Sequence, residues 1–161
     1  MLTARRVRAA RRWLALVLAL GAFSLPAVLH FGAPAPVIAQ SGQPVFLATG
    51  QFTDADAGHR GEGKALVIRL ADGQRVLRFE DFKVTNGPDL YVYLSGHPAP
   101  RNSAQLHQGG AFEVARLKGN IGNQNYPLPA DLDPSKFKSV VIYCKRFSVL
   151  FSTAELVFRG Q

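Results

Sequence analysis

The chain has little sulfur. Its 161 residues include one cysteine, Cys144, one methionine, Met1, and one tryptophan, Trp13. A single thiol excludes an internal disulfide framework, so any fold must rest on an apolar core. With no second cysteine there is no Cys-x-x-Cys-His run, and covalent c-type haem is excluded. Blue copper is argued against too, because it wants two histidines, a cysteine and usually a methionine close behind. Nothing near Cys144 supplies these, and His59, His97 and His107 match no zinc spacing, so no metal is expected. Also missing are a Gly-x-Ser-x-Gly nucleophile turn and a phosphate loop. Gly58, Gly61 and Gly63 precede an apolar run with strand character and read as a turn. Cys144 and a histidine are residue types of a hydrolase, but nothing in the spacing places them together.

Excess positive charge is confined to one end. The net charge is +8, and Arg5, Arg6, Arg8, Arg11 and Arg12 supply five of those charges. Beyond residue 40 there remain 14 Lys or Arg (19 less those five) against 11 Asp or Glu, a balance of +3. That is a solvated surface without a clustered basic face, and no nucleic-acid partner is expected.

Residues 1–12 form a basic n-region, and residues 13–31 are an apolar run from Trp13 to Phe31. This is the pattern of an export signal, at a length near that of a membrane span. Charge before the run keeps the N-terminus inside and sends the following domain across. The run reads as an uncleaved anchor, with cleavage after Val37-Ile38-Ala39 as the alternative. The domain is then exported, either held on the outer face of the cytoplasmic membrane or secreted. Residues 32–44, rich in Pro, Ala, Gly, Ser and Gln, read as a linker.

Residues 45–161 carry short alternating runs and no helical period of useful length. Strands are expected over 45–52, 64–70, 74–79, 89–95, 112–117, 139–144, 147–151 and 155–158. Asp72-Gly73 between two alternating runs is a hairpin signal. Asn86-Gly87-Pro88 is a turn, with Gly87 expected to supply a positive φ. Residues 96–111 read as a polar loop and 119–129 as an irregular amide-rich stretch. Asp133-Pro134 opens one helical turn. The pattern predicts an all-β antiparallel sandwich or barrel of seven or eight strands, preceded by the N-terminal signal or anchor helix.

Within the run 139–144, Val140, Ile142 and Cys144 share one face, which places the sulfur inward or at the end of a buried row. A small buried hydrophobe is the plain reading of such a cysteine. Lys145 and Arg146 follow at once, and cations beside a sulfur favour its thiolate. Such a thiolate attacks, oxidises reversibly or ligates a haem iron. Tyr91, Tyr93 and Tyr143 occupy the polar register of their strands and suggest an amphipathic platform. The amides of residues 120–125 are read as closing a loop through backbone groups.

Three blocks carry a resemblance. They run from Asp81 to Leu94, from Leu117 to Tyr126 and from Ser139 to Phe151. Together they resemble the DM-thirteen domain family, also called the electron-transfer DM-thirteen domain, across residues 46–159. The resemblance implies an extracytoplasmic β domain whose hallmark is one cysteine, matched here by Cys144. It implies electron transfer or redox modification, by a bare thiol or through a bound group such as haem. His59 stands where the family often has a histidine after its first strand. Tyr91 stands where histidine also occurs, which puts bis-histidine ligation in doubt. Cys144 is the expected reacting or ligating residue, with His59, Asn125 and Tyr126 as cofactor-binding candidates and Lys145 and Arg146 as modulators. No partner domain accompanies it, so the electron partner is another molecule. The alternative is a binding or structural domain of the cell envelope in which Cys144 is only core.

Overall fold

Alternating apolar and polar residues form strands because each strand can bury one face and wet the other. The computed structural model describes residues 42–160. The basic n-region, the apolar segment 13–31, the cleavage motif and most of the linker lie outside the described residues. Among the described residues no helix is long and apolar enough to cross a membrane. The strands are β1 (Val45–Asp54), β2 (Gly61–Arg69), β3 (Arg75–Val84), β4 (Leu90–Ser95), β5 (Ala111–Arg116), β6 (Gln124–Leu128), β7 (Ser139–Cys144), β8 (Val149–Glu155) and β9 (Val157–Phe158). One short helix, α1 (Ser103–His107), lies between β4 and β5.

All pairings are antiparallel, in the order β5-β4-β7-β8-β1-β2-β3-β6, with β9 added to β1. The sheet curls until its edge strands β5 and β6 approach, giving a nearly closed eight-stranded barrel. Hydrogen bonds between the residues after β5 and strand β6 bridge the gap. The Lys118 N–H donates to the Tyr126 hydroxyl at 3.1 Å, and Gln124 Nε2 donates to the Gly119 carbonyl at 2.6 Å. The all-β expectation and the barrel alternative are borne out, with β9 as one strand more.

Three local expectations are corrected. The stretch 119–129 contains β6, whose Gln124, Tyr126 and Leu128 point inward while Asn125 and Pro127 are exposed. Pro127 is tolerated there because β6 is an edge strand. The loop 96–111 holds α1, too short for a helical period to register but capped by the Asn102 side chain accepting from the Gln105 N–H. Gly61 and Gly63 belong to β2 instead of a turn. Gly63 takes φ +100 at a bulge opposite Asp81, where a Cβ would stand 2.6 Å from the Asp81 carbonyl oxygen. The Asp72-Gly73 hairpin and the turn capped by Asp133 form as expected.

Two apolar regions result. Inside the barrel lie Phe52, Val67, Leu77, Phe79, Phe82 and Tyr126, together with Val140, Ile142 and Cys144. Phe52, Phe79 and Phe82 pack with ring centroids 4.9 Å apart in each pair. Outside the sheet, α1 lays Leu106 over Tyr93, Val141, Tyr143 and Leu150.

Candidate functional site

Cys144 closes β7, opposite Leu90 of β4 on one side and Val149 of β8 on the other. Its side of the strand is the inner row begun by Val140 and Ile142, and it is 0 % exposed. The predicted inward direction is met, and the thiol is fully covered although it stands at a strand end.

Several connections meet at this end of the barrel. The β3–β4 turn descends onto it at Gly87. A Cβ there would stand 2.8 Å from both Leu90 and the Phe151 ring. Gly87 is therefore required by close packing; its φ is not in the positive region, which corrects the sequence expectation. Phe151 is the extra residue of a bulge, because β7 and β8 shift register between Ile142 and Tyr143. His59, from the β1–β2 loop, lays its ring against Phe151 at 4.2 Å between centroids. A line of neighbours thus runs His59, Phe151, Gly87, Leu90, Cys144. The other connections tie in through backbone bonds: Leu117 N–H to the Leu90 carbonyl, Val84 N–H to that of Asn120, and Lys145 N–H to that of Asp89.

His59 is fixed by a carboxylate. Its Nδ1 lies 2.8 and 2.9 Å from the two oxygens of Asp56. The same carboxylate accepts from the Gly58 and His59 N–H groups. The hydrogen bond from His59, followed by that from Gly58, holds the Asp56 carboxyl below its ordinary value. The arrangement orients the ring and leaves Nε2 as its other nitrogen.

The other candidates fall elsewhere. Tyr126 is 1 % exposed inside the barrel, where its hydroxyl donates to Gln124 Oε1 at 2.5 Å. Burial pushes its phenol up. It fills the core and braces the β5–β6 gap. Asn125 is on the outer face, because strand alternation turns it away from Tyr126. Its Oδ1 accepts from Arg78 Nη1 at 3.0 Å. Lys145 is likewise one residue out of phase with Cys144. Its Nζ pairs with Glu113 at 2.5 Å and lies 3.8 Å from the centre of the Tyr91 ring. Arg146 is exposed beside Phe147. Their expected support of a thiolate has no geometric basis here, since Lys145 is engaged on the opposite side and Arg146 faces solvent.

The residues around Cys144 do not fit a resident haem. A sulfur with no exposure leaves an iron no line of approach, and Leu90 and Val149 flank it across the ladder. Two depressions flank this end. One, of about 180 Å³, lies between Asn86–Pro88 and Leu117–Asn120; the other, of about 370 Å³, lies between Arg60–Glu62 and Lys83–Thr85. Cys144 lines neither. A further depression, about 750 Å³, lies at the opposite end beside Phe46, Arg69 and Arg159, away from Cys144. Among the described residues no three His, Cys, Asp or Glu side chains converge as a metal site.

Sequence reasoning missed one arrangement, the Glu113 carboxylate shared by Tyr93 and Lys145. Its signal was available only as a pairing: β4 and β5 set Tyr93 opposite Glu113. The platform suggested for Tyr91, Tyr93 and Tyr143 does form, on the outer face. The three blocks that carried the resemblance are spread through β3, β4, the β5–β6 connection, β7 and β8, and the fold gathers their turns at the Cys144 end. No curated protein and no solved structure matches the chain at the level of similarity required. Residues 51–156, well over half of the chain and nearly the whole barrel, match the family model described as Electron transfer DM13, and the chain belongs to that family.

Proposed function

We propose that this protein is an extracytoplasmic redox module whose reacting atom is the Cys144 sulfur, used as a bare thiol. Family membership supports an electron-transfer role. The observation that carries the choice of atom is the position of Cys144, at the barrel end where the family blocks converge. A fully covered thiol does not meet a bulky oxidant or a partner cysteine directly. Reaction therefore requires local opening of this end of the barrel, where Leu90 opposes Cys144 and Gly87 packs on Leu90 and Phe151, and a partner that opens it gains access that bulk reagents lack. The extracytoplasmic setting rests on the basic n-region and the apolar run 13–31. The same features support membrane attachment.

One observation favours a second reading. At 0 % exposure within an apolar row, Cys144 also has the surroundings of a plain core residue in an envelope binding domain.

Thiol-reagent kinetics on the full chain, under native conditions and across a urea series, separate the two. Labelling through a local opening, well below the urea needed for global unfolding, supports the redox module. Labelling that tracks global unfolding alone supports the core reading. Cys144→Ala should keep the fold and lose redox activity, and full activity in that variant ends the thiol proposal. A haem absorption band in protein exported through its own N-terminal segment would overturn the bare-thiol form.

A further inference from the structure

The outer face of β4 and β7 carries chemistry that the Cys144 reading does not use. The Tyr93 hydroxyl donates to Glu113 Oε2 at 2.6 Å. The same oxygen accepts from Lys145 Nζ at 2.5 Å. Tyr93 is 8 % exposed, beneath α1 and beside Tyr143, whose ring stands edge-on with centroids 5.7 Å apart. Tyr91 pairs across the ladder with Tyr143 and lies under the Lys145 ammonium. The groups facing Tyr93 are thus Glu113 from β5, Lys145 after β7, Tyr143 from β7, Tyr91 from β4 and His107 from α1, its ring 6.5 Å away. Three of the chain's four tyrosines are gathered here; the fourth, Tyr126, is inside the barrel.

A phenol gives up an electron with difficulty unless its proton leaves too, because the cation it would form is a very strong acid. A base already hydrogen-bonded to the hydroxyl removes that obstacle, provided it is ionised and correctly placed. Glu113 meets both conditions. Lys145 first, then the Tyr93 hydroxyl, holds its carboxyl below the ordinary 4.5. Burial first, then Glu113, pushes the Tyr93 phenol above its ordinary 10.0. Prior ionisation of the phenol is thereby disfavoured, and electron and proton must leave together. Tyr143, whose ring adjoins that of Tyr93, has the Ser103 hydroxyl in place of a carboxylate as its partner, so the proton acceptor singles out Tyr93.

We propose that Tyr93, with Glu113 as its proton acceptor and Tyr91 and Tyr143 beside it, is a one-electron donor site on the outer face of the barrel. Its counterpart is a partner protein's oxidised, high-potential metal centre. In the forward step that centre gains one electron from Tyr93. The hydroxyl proton moves along the hydrogen bond to the Glu113 carboxylate, leaving a neutral tyrosyl radical, a carboxylic acid and a metal reduced by one electron. One electron from a donor and return of the proton from Glu113 restore the site. The inference draws on the electron-transfer reading only for the existence of such a partner and makes no use of Cys144.

The test oxidises the full chain with photogenerated tris(bipyridine)ruthenium(III) and records the tyrosyl radical by electron paramagnetic resonance. Wild type and Cys144→Ala should give the radical equally. Tyr93→Phe should lose most of the signal, whereas Tyr91→Phe and Tyr143→Phe should keep it. Glu113→Gln should slow radical formation by about tenfold or more and make the rate depend on buffer base. The wild-type rate should stay level through the ordinary carboxylate range and fall only at lower pH, as Glu113 takes up a proton. A wild-type yield from Tyr93→Phe, or an unchanged rate in a folded Glu113→Gln, overturns the proposal. Should Glu113→Gln not fold, Tyr93→Phe and the wild-type pH profile decide. A negative result here leaves the thiol proposal standing, because labelling of Cys144 is read separately.

Discussion

The two apolar regions of this protein hold polar atoms in different amounts: the barrel interior is apolar except where the Tyr126 phenol bonds to Gln124 at the β5–β6 gap. Inside the barrel, Phe52, Phe79, Phe82 and Leu77 meet with no hydrogen bonding among them, and Cys144 joins as one more small apolar group. On the outer face, each buried tyrosine has a partner for its hydroxyl: Glu113 for Tyr93 and Ser103 for Tyr143, the latter at 2.8 Å. Among the described residues no buried side-chain nitrogen or oxygen lacks a partner. Strand β7 serves both regions, with Cys144 on one face and Tyr143 on the other. A period of two separates a dry sulfur from a hydrogen-bonded phenol within one residue. The interior thus favours stability and concealment, while the outer face holds groups that can exchange protons.

This contrast can be broken from either side. The largest effect is expected inside. Phe79→Ala removes a ring in contact with Phe52, Phe82 and Tyr126 and should cost about 3–5 kcal/mol in urea unfolding. Gly87→Val comes next. Its new side chain would press on Phe151 and Leu90, with an expected cost of roughly 1–3 kcal/mol. If this end of the barrel is forced open, native thiol labelling should also quicken; no change in labelling would separate the turn from access to the sulfur. Cys144→Ser puts a hydroxyl among apolar neighbours and should cost about 1–3 kcal/mol, more than Cys144→Ala. Equal stabilities of the two variants would show that the interior there is wetter than the packing indicates.

The outer face should respond more mildly. Tyr143→Phe keeps the ring and loses the bond to Ser103, at about 1 kcal/mol. The smallest effect concerns pH. The Tyr93 phenol is raised in the folded state, so its contribution to stability is present below the ordinary 10.0 and is lost as pH rises beyond it toward the folded value. Denaturant midpoints should therefore fall in strong alkali, and Tyr93→Phe should flatten that fall. Glu113 runs the other way. Its carboxyl is lowered, so its contribution is present above 4.5 and is lost as pH drops through the folded value. Glu113 is partly exposed, so salt should weaken that effect.

Much of the fold was legible because alternation is a local property. Spacing alone places the row Val140, Ile142 and Cys144 inward, and all three lie in the barrel core. The Asp72-Gly73 hairpin followed from its dipeptide. β6 escaped because its amides and Pro127 mask a three-residue buried row, and α1 escaped because five residues are too few to show a period. The site was legible in part. Cys144 could be named because no other cysteine exists. Lys145 was grouped with it by nearness in sequence and Asn125 through the family resemblance, yet each lies on the face opposite the interior.

The sequence by itself determined that this is an all-β domain with one inward-facing thiol, and its three ordered blocks determined the electron-transfer DM13 family. Those properties depend on side-chain period and residue identity along the chain. Only the tertiary structure decided that the thiol is sealed, because the ladder sets Leu90 of β4 opposite it and the Gly87 turn packs on Leu90 and on Phe151 of β8. Only it decided that Glu113 holds both Tyr93 and Lys145, because cross-strand register and the turn after β7 bring together groups distant in sequence.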